Sequence, residues 1–362
     1  MHYNFPVSPE DSRLTRTRWP AIDGLRGLAI LAVIGGHYKL HGNGAMGVIL
    51  FFVISGHVIT HSLLEEKSNN GRISFSNFYI RRVGRLVPMI ILTCLLSIIF
   101  LLITSVPYST WYLGAIGMLT YTVNLMHLLG LEKNISSYFQ YNWSLGFEEQ
   151  FYLIWPTLVF YTCKNLMRYK LLLSLSISLI LILSFLINFP TSVYGDPRNF
   201  CAILLGTIVA ILIKIFNAKH SRIPNRKKTN RIDVFSILVL AFLILNLIGS
   251  NFPIKFLREN GKLTTALCGA ILILLIIRNE PRLLIRMLTI RPLVLIGKIS
   301  YTLYMLNILW FVLLERVIPE FMKRHGLTTH VGEAITLFLI AWFTYRKFEL
   351  PMQNRINQRQ KI

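Results

Sequence analysis

The chain has 362 residues, of which 54% are hydrophobic and 15% charged, and its 38 basic against 16 acidic side chains give a formal charge of +22. So few charges exclude a water-soluble domain of this size. The basicity does not point to nucleic acid, because Lys and Arg fall mostly in alternate stretches between apolar segments, the pattern of cytoplasmic loops. The expectation is an all-α polytopic membrane protein, solvated by the lipid bilayer and with no nucleic-acid partner, since helices satisfy their own backbone groups in hydrocarbon.

The first apolar segment, AIDGLRGLAILAVIGGHYKL, carries Arg26 and His37 eleven residues apart. That spacing is close to three helical turns, so both share one stripe, about 16 Å apart along the axis. Ionisable groups in a membrane helix are expensive and mark a site by default. Arg26 is placed at the membrane edge to hold an anion, and His37, expected deep, is placed to move a proton. Asp23, three residues before Arg26, suits an N-cap or an ion pair. The segment lacks a small-residue cleavage pattern and reads as a retained helix.

The second segment contains FFVISGHVIT, with Ser55, and the basic stretch from Lys67 to Arg85 follows. In that stretch Arg81, Arg82 and Arg85 offer fixed cations with the forked geometry that phosphate oxygens accept. Arg85 stands just before Leu86 and Pro88, at the lip of the next helix. Three apolar stretches then separate two basic loops, 87–105, 111–129 and 143–161, and an odd number cannot all cross. Gly114, Gly117, Asn124 and His127 interrupt the middle one, which is expected to be re-entrant or interfacial.

The segment NWSLGFEEQFYLIWP opens with Trp143 and Ser144 and brings Glu148, Glu149 and Tyr152. Adjacent acids ahead of a span are costly unless paired, and an arginine of the basic cluster or His37 is the expected partner of Glu148. Farther on, basic stretches at 164–170, 219–231, 278–291 and from Arg346 onward alternate with outward ones at 189–199, 251–262 and 315–333. The pattern predicts about ten spanning helices and both termini inside. Residues 1–20 are expected as a cytoplasmic N-terminal segment, 21–345 as one transmembrane domain and 346–362 as a basic cytoplasmic tail. Glycines 24, 27, 35, 36 and 56 are expected to bring the first two helices close, and Trp111, Trp143 and Trp310 to mark interface belts. The scattered cysteines (94, 163, 201 and 268) read as packing residues, and the pairs His37/His41 and His57/His61 lack the added acid of a helical metal site, so no metal is expected.

Taken together, DGLRGLAILAVIGGH, FFVISGHVIT, YIRRVGRLVP and NWSLGFEEQFYLIWP resemble the acyltransferase family 3 membrane proteins, in that family's order and over the whole chain. Two positions depart from the pattern: His57 replaces an aromatic or aliphatic residue, and SYTLYMLN ends in Asn307 where the family commonly has His. The resemblance implies an O-acyltransferase of the bacterial inner membrane, in a form without an appended extracytoplasmic domain, that O-acetylates a hydroxyl of a cell-envelope carbohydrate, lipopolysaccharide or lipid-linked glycan. It implies a cytoplasmic acyl-coenzyme A donor such as acetyl-CoA. His37 would be the general base, Arg26, Arg81, Arg82 and Arg85 would hold donor phosphates, and Glu148 would orient or balance the site, supported by Asp23, Ser55, Trp143, Ser144 and Tyr152. The acyl group passes to the acceptor directly or through a separate partner protein. The competing class is an exporter of a small anionic or glycan substrate that uses the same Arg and His for recognition and proton coupling.

Overall fold

The computed structural model describes residues 19–38, 40, 42–131, 133, 135–162, 166–184, 194–219, 230–248, 255–278, 281–317 and 319–358. Outside them lie the 13–18 basic stretch, most of 219–231, the outward positions 189–193 and 251–254, His41 and Cys163. The described chain is helical: α1 Pro20–His37, α2 Gly44–Asn70, α3 Phe75–Ile103, α4 Tyr112–Thr120, α5 Val123–Leu128, α6 Ser137–Gln140, α7 Trp143–Thr162, α8 Leu166–Ser184, α9 Asn199–Lys219, α10 Asn230–Ile248, α11 Lys255–Ile277, α12 Arg282–Leu288, α13 Arg291–Lys298, α14 Ser300–Val317, α15 Pro319–Thr344 and α16 Leu350–Gln358.

Local signals set the ends. Pro20 opens α1 with its φ already helical, after an extended Trp19. Asn43 and Ser74 cap α2 and α3 with side-chain oxygens that accept from Met46 and Asn77 amides. Gly71 ends α2 at φ 69°. The apolar faces then pack α2 along α9 and α11, and α1 against α2, α13 and α14.

Close approach depends on glycine: Gly36 lies against Gly44 at the start of α2, as expected, but other glycines meet different partners. Gly24 of α1 lies against the Leu288 carbonyl at the end of α12, and Gly297 of α13 lies against the Asp23 carbonyl. Gly56 of α2 meets the Ile203 carbonyl of α9. A Cβ at any of these would overlap backbone, so the glycines seat α1 on α12 and α13, and α2 on α9.

Six helices among the described residues are long and apolar enough to cross a membrane: α2, α3, α8, α9, α10 and α11, with the bent pair α13 and α14, at 72°, as a seventh. The shortfall against the expected number has a physical reason. α1 carries Asp23, Arg26 and His37, and α7 carries Glu148 and Glu149, so site-forming residues lower the apolarity of the helices that hold them.

The 111–129 stretch breaks as its glycines and polar residues suggested. Tyr121 takes a left-handed conformation, φ 58°, after α4. α5 then folds back so that Val123 and Met126 meet Gly117. Asn124 and Gln150 exchange side-chain hydrogen bonds at 2.9 and 3.0 Å, which pin α5 to α7. At nine and six residues, neither short helix reaches across a hydrocarbon core of about 30 Å.

Two further expectations change. Residues 315–333 do not form one loop: α14 runs to Val317 and α15 starts at Pro319. The basic stretch from Arg346 continues α15 through a π turn, Tyr345–Glu349, into α16, which packs on α3. The π turn carries Glu349 inward, where it accepts hydrogen bonds from Thr302 and from Gln353. Trp111 and Trp143 are buried instead of marking an interface. Trp143 packs edge-on to Phe52 and Phe147.

Candidate functional site

The folding of α1, α2, α3, α7 and α14 against one another leaves an open cleft of about 720 Å³. Its polar lining comprises Arg26 of α1, Ser55 of α2, Arg82 and Arg85 of α3, Ser144, Glu148 and Tyr152 of α7, and Ser300, Tyr301 and Tyr304 of α14. Sequence motifs more than 200 residues apart thus share one wall.

Two of the three cleft cations are braced. Arg26 pairs with Asp23 one turn earlier, Nη1 to Oδ1 at 3.0 Å, which makes Asp23 an ion-pair partner while Trp19 takes the N-cap position. Arg82 lies flat on Tyr152, its guanidinium carbon 3.2 Å from the ring centre, with Phe78 at 5.8 Å. Tyr152 in turn donates to Glu148 Oε2 at 2.8 Å. Arg85 lies within electrostatic reach of Arg26 on one side and of Glu149 and Glu349 on the other. Two arginines held close in a poorly solvated cleft repel unless an anion joins them. Arg81 is not part of the cleft lining and bonds Glu66 at 3.4 Å.

The α14 wall is fixed by its tyrosines. Tyr301 donates to the Leu86 carbonyl at 2.8 Å, one residue past Arg85. Tyr304 donates to the Tyr141 carbonyl at 2.7 Å, and its hydroxyl lies 2.7 Å from Ser144 Oγ.

His37 is the last residue of α1. Its partner is Asn307 of α14, with Nδ1 2.6 Å from Oδ1; Glu148 is bonded to Tyr152 and stays in the cleft. The Asn307 amide nitrogen donates to the Tyr304 carbonyl, which leaves Oδ1 turned to the imidazole. An amide oxygen only accepts, so Nδ1 carries a proton, and in the neutral ring Nε2 keeps its lone pair. The neighbouring Tyr38 hydroxyl donates to the Asn307 carbonyl at 3.0 Å. The departure from the motif at Asn307 therefore falls on the group that sets the histidine tautomer.

The supporting residues divide. Ser55, Ser144 and Tyr152 line the cleft, whereas Trp143 lies behind it, against Phe52 and Tyr194. His57 is buried away from the cleft lining, between Trp19 and His61. Tyr301 and Tyr304 carried no role in the sequence, although SYTLYMLN contains both, and Asn307 stood out there only as a departure from the family's His.

A family model described as an acyltransferase domain matches residues 19–345. The chain is 28% identical over 361 residues to the peptidoglycan O-acetyltransferase of Listeria monocytogenes, covering 94% of this chain and 57% of that protein. It is 27% identical over 360 residues to an O-acetyltransferase of Staphylococcus aureus, covering 93% and 57%. The chain thus spans a little over half the length of these relatives. No solved structure matches it.

Proposed function

From the premise that the chain belongs to the family defined by this acyltransferase domain, we propose that it is an inner-membrane O-acetyltransferase that carries an acetyl group from cytoplasmic acetyl-CoA to a glycan hydroxyl. The observation that carries the donor assignment is the convergence of Arg26, Arg82 and Arg85 on one cleft. Three fixed guanidinium groups fit the phosphates of coenzyme A. The acceptor class follows the relatives' names, which place acetyl transfer on peptidoglycan in one case.

In this reading the donor's phosphates rest at the arginine end of α1. The pantetheine arm runs along α14, past Ser144 and Tyr304, toward the histidine end, a distance of about 16 Å along α1. His37 Nε2 takes the proton of the acceptor hydroxyl while the oxygen attacks the thioester carbonyl. The carbon–sulfur bond breaks as the new ester forms, and coenzyme A leaves as a thiol once it receives that proton. Asn307 holds the imidazole in the tautomer that leaves Nε2 free. Glu148 balances the cations and orients Tyr152. About ten crossings, counting charged α1, α7 and α15 with the apolar helices, and cytoplasmic termini complete the topology.

The test is purified protein in liposomes with acetyl-labelled acetyl-CoA, followed for coenzyme A release and for label on added glycan. Release and transfer by the wild type, both lost in His37→Ala, support the reading. Vesicle uptake of substrate with no thioester consumption would replace it by transport.

A further inference from the structure

A second polar cluster stands on α15, and the transfer chemistry above does not use it. Glu333 of α15 is 3% exposed, and its Oε2 lies 2.9 Å from His330 Nδ1. Its other oxygen, Oε1, has no hydrogen-bond partner among the described residues. One turn earlier Thr329 is 7% exposed, and its hydroxyl is likewise without a partner there. Buried oxygens left unsatisfied cost free energy that a ligand with matching donors recovers.

The cluster is linked to the base through Tyr38 and Asn307. Glu333 is within electrostatic reach of the Tyr38 hydroxyl. That hydroxyl bonds the Asn307 carbonyl, and the Asn307 side chain holds His37. The Tyr38 ring, itself buried, meets Phe311 edge-on, with centroids 5.2 Å apart.

We propose that Glu333, Thr329 and His330 form the acceptor subsite, and that it takes the hydroxyl and N-acetyl groups of a neutral amino-sugar glycan. The inference rests on the reading of His37 as the base for an acceptor alcohol. The orphan carboxylate oxygen accepts from a sugar O–H or amide N–H, and the threonine hydroxyl both donates and accepts. A polyanionic acceptor is disfavoured, because it would meet Glu333 with Glu315 in electrostatic reach behind it.

Calorimetric titration of the detergent-solubilised full chain with a soluble tetramer of N-acetylglucosamine tests this without requiring turnover. Saturable binding is expected. Glu333→Gln should weaken it about tenfold or more, as loss of a hydrogen bond to a charged oxygen does, and Thr329→Val about threefold. Coenzyme A titration of the same samples reports whether each variant is folded, and it judges the donor reading separately, since failure of the wild type to bind coenzyme A would count against that reading alone. No saturable binding of the tetramer by the wild type, or wild-type affinity in the folded variants, would overturn the acceptor subsite.

Discussion

The two ends of α1 are built by opposite strategies. At the arginine end, charged groups are braced by partners near in sequence or by a facing aromatic ring: Asp23 for Arg26, Tyr152 for Arg82, Glu66 for the outlying Arg81. At the histidine end a single amide 270 residues away sets the state of the imidazole. The first arrangement gathers cations in one cleft, the donor site of the proposed function. The second leaves one ring nitrogen uncommitted. Holding a polyanion needs fixed cations, whereas moving a proton needs a free lone pair, and in the proposed function α1 supplies each at a different end.

The sharpest way to break the comparison is at the histidine. His37→Ala is expected to lower acetyl transfer by about 10²–10⁴-fold, the usual contribution of a positioned acid–base group, at equal membrane abundance. Transfer assays on reconstituted protein measure this, and wild-type transfer would remove His37 from the mechanism.

Next in size is its partner. Asn307→Ala frees Nδ1 and lets the ring choose either tautomer, so the rate should fall by about 10–100-fold, with little change in KM for acetyl-CoA. Asn307→Asp should be at least as damaging, because a carboxylate beside Nδ1 favours the charged imidazolium, which has no lone pair to accept a proton. A pH–rate profile of the aspartate variant, displaced to higher pH than that of the wild type, would identify the cause.

How much of this was legible in the sequence follows the same division. Arg26 and Glu148 were visible because charge in or before a span is costly and stands out from an apolar background, Arg82 and Arg85 because a basic stretch offers forked cations, and Tyr152 through the family motif; the cleft gathers all five. The helical class was readable for the same reason. Partner choice was not readable. Nothing in periodicity says that Asn307 reaches His37, or that Glu148 bonds Tyr152 instead, since both depend on how α14 and α7 lie against α1. The glycines were recognised as sites of close approach, but α12, α13 and α9 as their partners come from tertiary packing. The end of α1 at His37 was missed because apolarity alone does not mark where a helix stops. The turn from Tyr38, whose Leu40 amide bonds the Gly35 carbonyl at 2.8 Å, stops it there.

Smaller effects sharpen the arginine end. Arg26→Lys and Arg85→Lys keep the charge but lose the fork, so the Kd for coenzyme A should rise by about tenfold, while the maximal transfer rate changes less. Smallest of all is Arg81→Ala. Its bond to Glu66 is a partly exposed ion pair, with side-chain exposures of 30% and 8%, and such pairs contribute about 0–1 kcal/mol. Coenzyme A affinity should stay within about threefold of the wild type. A tenfold loss would bring Arg81 back into the donor site and erase the distinction between it and its neighbours.

The central claim is that α1 binds the donor at one end and activates the acceptor at the other. Measuring coenzyme A affinity and acetyl-transfer rate on the same preparations of Arg26→Lys and His37→Ala tests it most directly. The account predicts a crossed result: Arg26→Lys loses affinity and keeps most of its maximal rate, and His37→Ala keeps its affinity and loses transfer. Parallel losses of affinity and rate in both variants would contradict it, because they would mean that the two residues serve one undivided site.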